Sequence, residues 1–151
     1  MIETTGMSVE SGDRIVEIGA VEAIDHELTL RRFHSYVRQD RESDAESFKQ
    51  HGLSKEFLVD KPTFSQIAGT LAEFIRDSVL IVQPCEWTVR FLDHEWAQTA
   101  IPLTGKLCSG IEDIVELAKQ RTPGQTVSLN ALCSRYHISR PTHLEGTMLD
   151  A

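Results

Sequence analysis

The chain has 151 residues, a formal net charge of −8 at pH 7, 40% apolar residues and 25% charged residues. A chain of this length can close one hydrophobic core, so we expect a single domain over residues 1–151. The negative charge argues against a protein that binds nucleic acid through a broad basic surface. It does not exclude a metal-dependent nuclease, because bound cations reverse the local charge where phosphate approaches.

The cysteines and the chain start predict a soluble, cytoplasmic protein without a membrane segment. Cys85, Cys108 and Cys133 are odd in number and lack CxxC or metal-finger spacing, which is typical of reduced thiols in a cytosolic protein. The opening MIETTG has no basic region followed by an apolar stretch. The longest aliphatic run, 79–82, is far shorter than the roughly 20 residues that span a bilayer.

The first half of the chain predicts a hairpin and then helices. Residues 14–24 and 31–37 are rich in β-branched residues, and Asp25-His26 supplies a turn between them. A helix over 45–50 would follow a cap at Ser43-Asp44 and end at Gly52.

The clearest helix follows Pro62-Thr63. Its apolar residues recur at helical spacing and form one stripe: Phe64, Ile67, Ala68, Leu71, Phe74 and Ile75. The run 79–82 is wholly apolar, which predicts a strand buried on both faces. Further helices are expected from about Thr88 to Gln98, over 111–119 and over 128–135. This order predicts an α/β domain with a mixed sheet.

The chain opens with Glu3-Thr4-Thr5-Gly6-Met7, which the segment 15–22 follows. Both resemble the first two strands of the DEDDh-type 3′–5′ exonuclease family, most closely of the epsilon proofreading subunits of bacterial DNA polymerase III. The resemblance implies an RNase H-like fold, in which a central mixed sheet with three antiparallel first strands is flanked by helices. Further matches follow in the same order, at 51–53, 56–58, 60–64, 91–95, 123–124, 128–133 and 149–151.

The resemblance also implies a chemistry. The family places four carboxylates around two Mg²⁺ or Mn²⁺ ions, with a histidine nearby as general base, at the 3′ end of a single DNA strand. Two such ions can activate a water molecule and neutralise the leaving oxygen. Carboxylates suit this task because Mg²⁺ prefers hard oxygen ligands.

Part of that residue set is missing from this chain. The family's D-x-E motif reads Met1-Ile2-Glu3, so Glu3 is kept while Met1 replaces the first carboxylate. The third carboxylate position, three residues before Phe91, holds Thr88.

The family's last motif, H-G-x-x-L-D, reads EGTMLD over 145–150, so Asp150 is kept and Glu145 occupies the position of the base. The resemblance therefore leaves Glu3, Glu145 and Asp150 as catalytic candidates, and Glu3 and Asp150 also as metal ligands. Glu86 and His143 lie two residues from the family positions, an offset that turns a helical side chain by about 200°, so neither is favoured as a substitute.

Plainer interpretations stay open. A glutamate at a strand end and an aspartate near a C-terminus are commonly only solvated. Trp87 and Trp96 could stack on bases, but a tryptophan on an amphipathic helix is more often part of the core.

Three functions follow from these observations. The first is an exonuclease-family domain that binds a single-stranded DNA 3′ end and has weak or absent nuclease activity. The second is a non-catalytic binding or assembly module for a polymerase or another replication subunit, and the third is a non-functional fragment. Because the motifs begin at Met1 and stop at Ala151, we expect a shortened first strand, a truncated last helix and a domain incomplete at both ends.

Overall fold

The computed structural model describes residues 1–138, which form an α/β fold. The strands are β1 (Ile2–Thr4), β2 (Ile15–Ile24), β3 (Glu27–Tyr36), β4 (Val79–Val82) and β5 (Gly110–Asp113). The helices are α1 (Ala45–His51), α2 (Lys55–Leu58), α3 (Phe64–Ile75), α4 (Cys85–Trp96), α5 (Thr104–Leu107), α6 (Ile114–Arg121) and α7 (Leu129–Arg135). A 3-10 helix, Val9–Ser11, follows β1.

The predicted hairpin is confirmed. Strands β2 and β3 pair antiparallel, and β1 pairs antiparallel with the other edge of β2, in the order β1-β2-β3. The turn residues Asp25 and His26 have φ of 52° and 69°, the left-handed conformation that the tight turn of a two-residue hairpin requires.

Strands β4 and β5 form a separate parallel ladder in the described residues, with Val79 opposite Gly110 and Val82 opposite Asp113. The prediction that β4 is buried on both faces is wrong, since Val79 and Ile81 are 54% and 57% exposed. The alternate residue Leu80 packs against the main core. An apolar run therefore marks the strand here, although only one of its faces is covered.

Two helix boundaries also differ from the expectation. The helix predicted from 111 begins at Ile114, because residues 110–113 pair with β4 and Asp113 then caps α6 by accepting from the N–H of Val115 and Glu116. Helix α4 begins at Cys85 rather than Thr88, with Pro84 at its N-cap. Thr88 is therefore inside the helix, a full turn from its start.

The main core lies between one face of the three-stranded sheet and helices α3 and α4. The predicted apolar stripe of α3 is confirmed, since four of its residues are buried in this core and the other two, Ile67 and Phe74, pack against it. Trp96 is fully buried, its ring lies 4.9 Å from that of Phe64, and its indole N–H donates to Thr104 Oγ1 at 3.1 Å. The interpretation of Trp96 as a core residue is confirmed.

The opposite face of the sheet is covered by a smaller cluster. Val16, Leu53 and Leu58 form it, with Tyr36 packed against them. Helix α1 is capped by Asp44, and Gly52 ends it with φ of 69°, a conformation that glycine adopts without strain. All three cysteines are free and half-buried. Among residues 1–138, no helix is long and apolar enough to cross a bilayer.

Candidate active site

Glu3 lies in the middle of β1. Its neighbour Ile2 packs against the main core, so the alternation of a strand directs Glu3 to the other face of the sheet. There it stands opposite Glu17 of β2. Burial, and then the charge of Glu17, raise the pKa of the Glu3 carboxyl, while the ammonium of Met1 acts in the opposite direction.

Three further polar residues, Glu17, His34 and Tyr36, share this face and were missed from the sequence. Glu17 is buried, and its Oε1 lies 2.7 Å from Nε2 of His34 on β3. Tyr36 stands directly opposite Glu17, and burial followed by the charge of Glu17 raises the pKa of its phenol. The i, i+2 spacing of His34 and Tyr36 signals a shared face, but only the register of the strands reveals that this face carries Glu3.

The loop after β1 is tightly held. The hydroxyl of Thr5, which is fully buried, accepts from the N–H of Arg14 at 3.0 Å and donates to Asp13 Oδ1 at 3.2 Å. Asp13 Oδ2 accepts from the N–H of Ser8 at 3.1 Å. A Cβ at Gly6 would lie 2.3 Å from the same carboxylate. The loop therefore closes around Asp13, and only glycine fits at position 6.

Helix α4 docks against this loop. The indole N–H of Trp87 donates to the carbonyl of Met7 at 3.1 Å, and Arg90 forms an ion pair with Glu10. Trp87 is half-buried and packs on Phe91. Its ring thus connects helix and loop, which favours the interpretation of Trp87 as partial core.

Both ends of α4 are also anchored. Near its C-terminus, Glu95 is 1% exposed, and its Oε1 accepts from Arg14 Nε at 2.8 Å and from the N–H of Ile15 at 3.2 Å. At its N-terminus, the N–H of Cys85 donates to Asp113 Oδ2 at 2.9 Å. These bonds fix α4, and with it Thr88, relative to β2 and β5.

Residues 1–138 do not by themselves supply the ligands of a centre for two divalent cations. Met1 contributes a thioether and Thr88, which is 5% exposed, contributes a neutral hydroxyl, whereas Mg²⁺ prefers charged oxygen ligands. Within residues 1–138, no group of three or more His, Cys, Asp or Glu side chains could hold a metal ion. Glu3 is the one family carboxylate in this part of the chain.

Of the remaining sequence candidates, only Glu86 lies within the described residues. Glu86 is exposed on α4 while Thr88 is buried, so the two side chains point to different sides of the helix. Glu145 and Asp150, together with His143, lie outside the described residues. Their assignments stay predictions.

Three comparisons with known proteins agree with this fold. A family model described as "Exonuclease" (RNase_T) matches residues 2–144. The chain is 39% identical over 156 residues to the DNA polymerase III subunit epsilon of Escherichia coli (strain K12), an alignment that covers 99% of this chain and 64% of that protein. The same subunit of Rickettsia prowazekii (strain Madrid E) is 40% identical over 153 residues, covering 99% of this chain and 66% of that protein.

The chain thus spans just under two thirds of the length of these relatives. Among solved structures, it is similar to exonuclease X in complex with 5′ overhanging duplex DNA, with a TM-score of 0.67 and 20% sequence identity. That match covers 97% of this chain and 78% of the other. It confirms the expected α/β fold of the RNase H-like type.

Proposed function

Because the chain belongs to the exonuclease family, we propose that it is an epsilon-type 3′–5′ exonuclease domain that binds the 3′ end of a single DNA strand and cleaves it weakly or not at all. In this proposal, the domain still binds the strand because the fold is kept. It cleaves the strand poorly because fewer ligands are left for the metal ions.

The proposal rests on the burial of Thr88, which stands where the resemblance implies a carboxylate. Thr88 is 5% exposed on a helix that is anchored at both ends, so a neighbouring acid would have to displace packed groups to replace it. A two-ion centre requires several carboxylates that bridge the pair. Glu3 alone cannot supply that set of carboxylates.

Within this proposal, Glu3 and Asp150 bind at most one Mg²⁺ or Mn²⁺ ion. Glu145 acts as the general base in place of histidine. The ion would act as a Lewis acid on a phosphate oxygen. An ordinary glutamate has a pKa about two units below that of histidine. At that ordinary pKa, Glu145 is a weaker base than a histidine.

A second candidate function is a binding module for a polymerase or another replication subunit. The distal half of the hairpin carries exposed apolar side chains, with Leu30 94% exposed, Leu28 74% and Val21 51%. Such exposed apolar side chains, of which Leu28 and Leu30 lie on the edge strand β3, are typical of interaction surfaces. The similar proteins are named as subunits of DNA polymerase III, which favours the same class of partner.

The nuclease proposal is tested with a 5′-labelled single strand and Mn²⁺. We expect the wild-type chain to shorten the strand very slowly or not at all. The Met1→Asp/Thr88→Asp variant, produced behind a cleavable leader, should cleave faster because it regains two carboxylates. Adding Glu3→Ala to that variant should abolish the gain.

Glu86→Gln is the matched control, since Glu86 is an exposed acid on the same helix as Thr88, and it should leave activity unchanged. Brisk shortening by the wild type that disappears in its Glu3→Ala variant would show that the site is intact. Strand binding is measured separately by fluorescence anisotropy. Binding without cleavage supports the proposal, and no binding refutes it.

A further inference from the structure

The sheet face that carries Glu3 has a row of side chains across three strands. Glu3 stands opposite Glu17, and Glu17 stands opposite Tyr36. Neighbouring strands are about 4.8 Å apart, so Tyr36 lies two strands, or about 10 Å, from Glu3. The negative charge of Glu17, between them, is in contact with His34 at 2.7 Å.

From this row, a chain of aromatic rings leads away from Glu3. The rings of His34 and Tyr36 meet edge to face at 4.9 Å, and those of Tyr36 and Phe57 at 5.0 Å. Phe57, on α2, is 44% exposed. Nζ of Lys61 lies 4.6 Å from the centroid of the Phe57 ring, so the chain of rings ends at a cation.

We propose that His34, Tyr36, Phe57 and Lys61 form a track along which a single nucleic-acid strand leaves the region of Glu3. The proposal rests on the proposed function and names the residues that hold the strand beyond its 3′ end. A base stacks on the exposed ring of Phe57, and the adjoining phosphate meets the ammonium of Lys61. Every base has a π face, so such a track accepts any sequence.

The ring and the cation together suit nucleic acid as the occupant of this surface. The chain carries a net charge of −8, so its charge as a whole repels phosphate, and a strand needs a local cation beside a surface on which its bases stack. Lys61 supplies that cation, and the neighbouring Asp60, 3.0 Å away and 73% exposed, competes for it. Removing the Asp60 charge should therefore strengthen the binding of a nucleic-acid strand. The same change should weaken the binding of a partner with a basic surface.

The experiment measures binding of a fluorescein-labelled 12-nucleotide oligo(dT) in Ca²⁺ by fluorescence anisotropy. Phe57→Ala should raise the dissociation constant about 5- to 100-fold, the range for loss of one stacked base, and Phe57→Trp should retain binding. Lys61→Gln should reduce the slope of log K against log salt by about 0.7, since one phosphate contact is lost. Asp60→Asn should lower the dissociation constant.

Phe48→Ala is the matched control. Phe48 is 46% exposed, nearly the same as Phe57, but its ring contact is with His51 at 6.4 Å and not with a ring of the track. Its variant should bind as the wild type does.

The outcomes separate the two proposals. If the wild type binds and Phe57→Ala binds equally well, or if Phe48→Ala loses as much affinity, the track is wrong and the proposed function stands. An unchanged salt slope in Lys61→Gln would likewise overturn it, even if Phe57→Ala were poorly folded. If the wild type binds no strand at all, both proposals fall.

Discussion

Replacing Glu95 by alanine tests whether the placement of α4 depends on one buried carboxylate. Glu95 is 1% exposed and accepts from the side chain of Arg14 and from the N–H of Ile15. The variant removes these bonds together and leaves the guanidinium of Arg14, whose side chain is 26% exposed, without its partner.

The expected loss follows from these contacts. Breaking a buried ion pair from one side costs about 3–5 kcal/mol. The partial exposure of Arg14 lets water reach its charge, which favours the lower end, about 3 kcal/mol. The fully buried N–H of Ile15 loses an acceptor, which adds about 1 kcal/mol. For a domain of this size, a total of about 4 kcal/mol corresponds to a fall in Tm of about 10 °C.

Urea denaturation followed by circular dichroism measures this loss. Glu86→Ala is the control, because Glu86 is exposed on the same helix, and it should change the free energy of unfolding by less than about 0.5 kcal/mol. The Arg14→Met/Glu95→Met double variant should be more stable than Glu95→Ala, since no charge is then left unpaired. A loss below about 1 kcal/mol for Glu95→Ala, or a double variant less stable than Glu95→Ala, would refute the reasoning.

Three further predictions concern the region of the candidate site. Gly6→Ala should destabilise the fold by about 1–3 kcal/mol because its Cβ meets Asp13 at 2.3 Å. By contrast, Gly69→Ala, at an exposed helical position with nothing within 4 Å, should stabilise it by up to about 1 kcal/mol in the same urea titration. Folding raises the pKa of Glu3, so the folded state holds this proton to higher pH than the unfolded chain does. The free energy of unfolding therefore falls as the pH rises above 4.5, the ordinary pKa of the carboxyl. Glu3→Gln should remove this fall and raise Tm at pH 7, and an equal or lower Tm would contradict it. Burial lowers the pKa of His51, so stability falls as pH drops below 6.5. The His51→Asn variant, which keeps an acceptor near Nδ1, should show a smaller drop in Tm between pH 7 and pH 5, and an unchanged drop would argue against this cause.

Elements that depend on local pattern could be predicted from the sequence. The β2–β3 hairpin follows from two β-branched runs around Asp25-His26, and α3 follows from one apolar stripe after Thr63, which serves as its N-cap. In both cases, the residues that decide the structure are close together in the chain.

Features that depend on pairing between distant segments could not be predicted. Strand β5 contains Glu112 and Asp113 and has no apolar alternation, so it is recognisable only by its pairing with β4. Likewise, the position of Glu17 opposite Glu3 depends on the register of β1 against β2, which is irregular between Glu3 and Thr4. A shift of register by one residue moves a side chain to the other face.

The candidate site itself was predicted by resemblance rather than by pattern. That approach predicts Glu3 as a metal ligand and Thr88 as the replaced carboxylate, because both occupy positions that the resemblance implies. It missed the contact of His34 with Glu17 and the ring chain through Tyr36, since these residues are not in the metal-binding motifs. Their shared sheet face becomes visible only once β2 and β3 are aligned.

The most direct test of the central claim is a crystal of this protein soaked in Mn²⁺ and measured for anomalous scattering. The reduced carboxylate set predicts no more than one weakly occupied ion, next to Glu3. Two well-occupied ions about 3.5–4 Å apart beside Glu3 and Thr88 would contradict the claim that the two-metal centre is degraded.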